Sequence, residues 1–381
     1  MKTTISILAT AAILFPGTMS AQVTVAVHLN VKADTIKVEQ YKPEKSSEET
    51  ELKTLILRMD YGDEKILNKK DAKVLKSANI LSVDLVYTAY PDDDTLIDEL
   101  NKRRLLELYF LNADVFKQPM VKWKLIKQTS CKNETQARKM FHGIVIRYIK
   151  IIQYKPGSVN EMKARVKRKE FLPGDSTVLK IFKRNPNWKK ELIVTDFTGS
   201  MSPYYDQVFI WYHLKNFKEP VNFAFFNDGN RTPDHLKKTG KTGGIYMFST
   251  DNMDTLFQRA YTTIMAGDGG DTPENDVEAI LAAIKKFDKA KEIILIADNW
   301  AAMRDYSLIK LINKPVKVIL CGTDYGINPQ YLDLAKETGG SIHTMNEDIT
   351  TLAKTREGEK IKIGKFNFLI RGGKFVQLFE I

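Results

Sequence analysis

Asp196-Phe197-Thr198-Gly199-Ser200-Met201 sets one carboxylate and two hydroxyls on a single tight turn, directly after the apolar run Leu192-Ile193-Val194. Gly199 lets the chain fold around a point, and Pro203 suits the first turn of a following helix. A second oxygen-rich segment, residues 267–274 (Gly-Asp-Gly-Gly-Asp-Thr-Pro-Glu), lies just ahead of a helix-like stretch, and a third apolar run leads into Asp298. If the apolar runs are strands of one open parallel sheet, the loops at their carboxyl ends converge on one place. Hard oxygen donors gathered there suit Mg²⁺, with Ca²⁺ or Mn²⁺ as substitutes, because a small number of carboxylates leaves coordination positions for water or an incoming ligand. The candidate ligands are Asp196, Thr198, Ser200 and Asp298, joined by Asp271 or, as the alternative, Thr272. Each residue also has a plainer use: Asp271 or Thr272 can cap the helix opening at Pro273, and Asp196, Ser200 and Asp298 can simply form turns.

These residues, in this order, resemble the metal-ion-dependent adhesion site of the von Willebrand factor type A (VWFA) domain, whose pattern is Asp-x-Ser-x-Ser, a distant Thr or Asp, and an Asp after a later strand. Asp196, Thr198 and Ser200 match the first element, Asp271 or Thr272 the second and Asp298 the third; Thr198 keeps the hydroxyl of the commoner Ser. The Asp-x-Thr-Gly-Ser-Met start and the Gly-Gly-Asp-x-Pro-Glu loop look like the branch that includes the hemicentins and some alpha-kinase-associated A domains. The resemblance covers roughly residues 188–355. It implies a doubly wound, Rossmann-like α/β fold, a bound Mg²⁺, and a non-enzymatic binding or assembly module in which a partner's Asp or Glu completes the metal shell. Asp196-x-Thr-Gly-Ser also resembles the nucleophile loop of haloacid-dehalogenase-type phosphatases, which would make Asp196 a nucleophile beside Mg²⁺; the second Asp that this family uses as a proton carrier is Thr198 here. Five dispersed histidines show no metal-ligand spacing.

The elements that must hold these residues read as alternating short strands and helices from residue 191 onward: strands over 191–196, 221–226, 245–249, 292–298, 316–321 and 341–343, helices over 204–216, 254–265, 273–287, 303–312 and 329–338. Such alternation predicts a mostly parallel sheet covered on both faces, and residues 365–379, around Gly372-Gly373, predict a C-terminal β-hairpin. Upstream, strand-like segments at 23–37, 80–90 and 121–128 and helix-like ones at 94–111 and 134–152 suggest a smaller α+β domain over residues 22–160, with the Asp92-Asp93-Asp94 triplet as a helix cap. Residues 161–190 read as a basic linker, 191–355 as the VWFA-like domain and 356–381 as the tail.

At 381 residues, 43% apolar and 28% charged, the chain is too long for one ordinary domain and too apolar to be disordered or collagen-like. Two cysteines exclude a disulfide framework and a four-thiolate zinc site. The net charge of +11 is uneven: residues 1–190 carry 35 basic and 22 acidic side chains, and residues 115–190 alone carry 20 and 4. That excess suggests either a solvated face or docking of residues 115–190 on an anionic envelope surface, and a third reading of the whole chain is a scaffold that docks through its basic first domain; nucleic acid is not expected, because no aromatics interleave the charges. Residues 1–21 have the positive start, short apolar run and small-residue end of a cleavable secretory signal, so a periplasmic or secreted protein without a transmembrane segment is expected.

Overall fold

A computed structural model describes residues 2–13, 23–47, 49–151, 154–168, 175–189, 191–215, 219–267 and 272–378. The chain divides into two compact units, Met1–Ile151 and Ile152–Ile381. The charge asymmetry does not follow that division: the first unit holds 24 basic and 19 acidic residues and the second 34 and 28.

The first unit is a mixed sheet carrying one long helix. Its strands are β1 (Lys2–Ile13), β2 (Val23–Val38), β3 (Leu52–Arg58), β4 (Ala78–Thr88), β5 (Lys122–Gln128) and β6 (Gly143–Lys150), in the order β1-β2-β5-β4-β6-β3. β2, β5 and β4 run parallel, and the remaining pairs are antiparallel. Helix α1 (Asp94–Leu111) starts where the Asp triplet places it: the Asp93 side chain accepts from the Thr95 and Leu96 amides, a cap worth about 1 kcal/mol. The helix buries Ile97, Leu105 and Leu108 against Leu57, Val83, Leu85, Ile144 and Ile146. Residues 134–152, expected as one helix, instead form the short helix α2 (Glu134–Arg138) followed by β6. The β-branched residues Ile144, Val145, Ile146 and Ile149 favour the pleated surface, and Gly143 enters it at φ +145°, where a Cβ would lie 2.0 Å from the Leu57 carbonyl oxygen.

The second unit begins with α3 (Val159–Arg168) and α4 (Thr177–Arg184), which occupy the segment expected as a linker. Met162, Val178, Ile181 and Phe182 are buried in the same core as Val208, Phe209 and Trp211. Several of the basic charges in this segment are paired: Arg165 with Asp206, Lys163 with Asp254, and Arg184 with Asp348. Then follow β7 (Leu192–Asp196), α5 (Tyr205–Lys215), β8 (Val221–Phe226), β9 (Ile245–Thr250), α6 (Met253–Ala266), α7 (Asp276–Lys286), β10 (Ile293–Asp298), β11 (Val316–Cys321), α8 (Pro329–Glu337), β12 (Ser341–His343) and β13 (Asp348–Ile349). The helix expected over 303–312 is a 3₁₀ segment, Tyr306–Leu311.

The sheet order is β13-β12-β11-β10-β7-β8-β9, parallel from β12 to β8 and antiparallel at each end. Alternate residues serve opposite faces: Leu192 and Val194 join a core with α7 and α8, while Ile193 joins one with α3, α4, α5 and α6. The expected C-terminal hairpin is a three-stranded antiparallel sheet, β14 (Lys360–Ile363), β15 (Phe366–Arg371) and β16 (Lys374–Leu378). No helix among the described residues is long and apolar enough to cross a membrane.

Candidate metal centre

Asp196 ends β7 and Asp298 ends β10, adjacent parallel strands whose register pairs Thr195 with Ile296. Parallel strands finish at the same sheet edge, so the two carboxylates meet there for a topological reason. The turn after Asp196 is held from within and from below. The Thr198 amide donates to Asp196 Oδ1 at 2.7 Å, and the Tyr205 hydroxyl on α5 donates to the Phe197 carbonyl at 3.0 Å and to the Thr198 carbonyl. Asp298 is fixed in the same way, accepting from the Trp300 amide at 2.9 Å, while the Asn299 side chain ties its loop to Gly326 and Asn328.

The third carboxylate is Glu274. Its backbone forms a parallel bridge with Met303, the Glu274 amide donating to the Ala302 carbonyl at 2.8 Å and the Arg304 amide to the Glu274 carbonyl at 2.6 Å. The segment after β10 thus delivers Glu274 to the carboxylates of β7 and β10. Asp196, Glu274 and Asp298 each present an oxygen within 4.8 Å of the others, and all three are buried. Thr198 Oγ1 donates to Glu274 Oε1 at 3.0 Å and lies 3.1 Å from Ser200 Oγ, and the Ser200 hydroxyl bonds to Asp298.

Of the residues expected from sequence, the structure brings together Asp196, Thr198, Ser200 and Asp298. Asp271 lies outside the described residues. Thr272 stands two positions before Glu274, half-buried, at the cis bond to Pro273. The segment named from sequence also carries Glu274, the carboxylate immediately after its Pro, which was not named as a ligand and is the one that the structure brings to Asp196 and Asp298.

The electrostatics are unusual because no basic side chain among the described residues pairs with the acids. Among those residues, Asp196 Oδ2, Glu274 Oε2 and Asp298 Oδ2 have no hydrogen-bond donor. Burial, then the charge of Asp298, pushes Asp196 up to about 7. Burial and the neighbouring acids hold Glu274 well above the ordinary range, and burial raises Asp298 against the pull of Ser200 and the Trp300 amide. Asp276, which accepts from Tyr331, is driven up by the same field. Buried carboxylates without a counter-charge protonate or take a metal. The cluster of Asp196, Glu274 and Asp298, flanked by two hydroxyls, could hold a metal ion, and the orphaned oxygens are what such an ion would satisfy.

Close by in sequence, a buried network has its charges matched: Asp228 accepts from Lys237 at 2.7 Å and from Arg304 at 3.2 Å, and Arg304 also pairs with Asp234. A Ser-His-Asp series on β12 and β13 is likewise structural. Ser341 Oγ lies 2.7 Å from His343 Nε2, and His343 Nδ1 2.7 Å from Asp348, but Asp348 is held by Arg184 and Asn185, and Ser341 and His343 are buried within a strand. A nucleophilic serine needs an approachable hydroxyl.

No protein-family model matches the chain, and neither a curated protein nor a solved structure matches it.

Proposed function

We propose that the second unit is a VWFA-like module in which Asp196, Thr198, Ser200, Glu274 and Asp298 hold a divalent cation, Mg²⁺ first, and that an Asp or Glu of a protein partner completes the metal's shell. The observation that carries the reading is the meeting of three buried carboxylates, from two parallel strand ends and one loop, with no described basic side chain paired to them. The donor set is all oxygen, which suits Mg²⁺ or Ca²⁺ over softer metals. Bound there, the cation would supply a Lewis-acidic point that pulls on an incoming carboxylate. Asp271 remains a further candidate ligand. In this reading the protein is not an enzyme and acts outside the cytoplasm, as its signal-like N-terminus suggests. The phosphatase alternative would make Asp196 a nucleophile, and the position of the second Asp that would carry the proton holds Thr198 here.

Calorimetry of the full chain tests the proposal. Mg²⁺ is expected to bind the wild type and to show no heat with Asp196→Ala while the circular dichroism spectrum is retained; unchanged affinity in that variant overturns the site. Capture of partners from envelope extract is expected to be abolished by EDTA, and Mg²⁺-dependent release of phosphate from a phosphomonoester would move the assignment to the phosphatase.

A further inference from the structure

The first unit contains a cavity of about 200 Å³ between α1, the end of β4 and the turn at Tyr61-Gly62. Its walls are mostly apolar or aromatic: Tyr61, Tyr87, Tyr90, Leu96, Ile97 and Leu100. Its floor is polar and incompletely bonded. Arg104 is fully buried, and its Nε and Nη2 donate only to the backbone carbonyls of Asp63 at 2.8 Å and Asp60 at 3.1 Å. Among the described residues its Nη1 has no hydrogen-bond partner, and the nearby charges of Asp63 and Glu64 favour the guanidinium without bonding to it. Asn101, one helical turn earlier on the same face of α1, is 2% exposed and leaves both its amide nitrogen and its oxygen without a partner.

Each of these features costs stability in a structural core. An unsatisfied buried amide is destabilising, and a buried guanidinium without a paired carboxylate is more so. Both line the same cavity, whose mostly apolar walls with a few polar groups have the construction of a ligand pocket. We propose that this cavity binds a small organic monocarboxylate that bears an N–H or O–H donor beside the carboxylate and an apolar body. The carboxylate would accept from Arg104 Nη1 and Asn101 Nδ2, the adjacent donor would satisfy Asn101 Oδ1, and the body would lie against the tyrosines and Leu96. A single anionic charge is favoured over a phosphate dianion because, of the two arginines that line the cavity, Arg104 is buried and Arg103 is exposed. His142 on the opposite wall is held neutral by burial and by the charge of Arg104, its ring nitrogens lying 3.3 Å from the Thr88 hydroxyl and 3.1 Å from the Met140 carbonyl. Arg103, at the mouth, is already near Glu64.

The test is titration of the full chain with N-acetylphenylalanine, which carries the carboxylate, the adjacent N–H and an apolar body, alongside its C-terminal amide and phenyl phosphate. Saturable binding of the acid, at least about tenfold tighter than the amide, is expected, the scale of one charge-assisted hydrogen bond. No binding by the acid, as a water-filled cavity would give, equal binding of acid and amide, or tighter binding of phenyl phosphate overturns the proposal. Asn101→Leu separates a ligand role from a structural one: it is expected to raise the melting temperature of the free protein and to weaken acid binding at least about tenfold. Lower thermal stability with unchanged binding would make Asn101 structural and sink the assignment. Arg104→Lys, which keeps the charge but loses the fork, is expected to fold and to bind more weakly than wild type.

Discussion

The two units bury opposite errors of charge. In the second, Asp196, Glu274 and Asp298 crowd together with no basic side chain among the described residues paired to them; in the first, Arg104 lines a cavity with no described carboxylate bonded to it. Between these extremes, the Asp228, Lys237 and Arg304 network in the second unit is largely buried and has its charges matched. The comparison teaches that burial alone does not mark a functional site. What marks it is burial that the protein's own groups leave uncompensated, because only an outside ligand of the opposite sign can then repay the desolvation.

The largest expected effect breaks that comparison directly. In metal-free protein, Lys237→Met should destabilise by about 3–5 kcal/mol, since it strips a partner from a matched buried network. Asp298→Asn should instead stabilise the metal-free protein by about 1–2 kcal/mol, since it removes one of several repelling carboxylates. Urea denaturation in EDTA measures both. If both variants destabilise alike, the acidic cluster is an ordinary structural network.

A smaller effect, in pH, sharpens the same point. The folded state pushes Asp196 up to about 7 from an ordinary carboxylate value of 3.8, so the folded protein holds this proton more tightly than the unfolded chain. Stability from this group is complete below about pH 4 and is lost as pH rises through about 7, by up to about 1.4 kcal/mol per pH unit. Glu274 and Asp298 shift in the same direction. Mg²⁺ should reverse the trend, because it binds the deprotonated cluster and favours the folded state by about 2.7 kcal/mol at a hundredfold excess over Kd. Melting curves from pH 4.5 to 8, with EDTA and with Mg²⁺, should diverge as pH rises; parallel curves would count against a metal in this cluster.

The comparison also shows what the sequence could carry. Short apolar runs ending in Asp196 and Asp298 were legible because both strands are buried on two faces, which removes polar residues from them. The limits of α1 were legible from its acidic cap and its length. Glu274 was not, because its position depends on a backbone bridge to Met303, a tertiary contact that leaves no local pattern. The strand at Gly143–Lys150 was read as helix because its apolar residues are nearly continuous, and continuity without clear alternation does not separate a buried strand from a buried helix. The Arg104 cavity was invisible for a different reason. Arginine in a helix such as α1 ordinarily faces solvent, and only the packed structure shows that this one does not.

The smallest expected effect concerns the N-terminus. Residues 1–21 read as a cleavable signal, yet Lys2–Ile13 forms β1, an edge strand that pairs antiparallel with β2 and places Ile5 and Ile7 in the core of the first unit. Cleavage near Ala21 or Gln22 would make β2 the sheet edge and remove those two side chains. Among the described residues the cavity around Arg104 takes none from β1, and the carboxylate cluster belongs to the other unit, so neither site draws a described residue from positions 1–21. Expressed with its leader in an exporting host, the protein should yield an N-terminal sequence beginning near Ala21 or Gln22, and the chain from residue 22 should bind Mg²⁺ with the affinity of the full chain. An intact N-terminus on exported material would contradict the signal reading and make β1 a permanent strand. A large loss of Mg²⁺ affinity on truncation would show that the two units do not keep their sites independently.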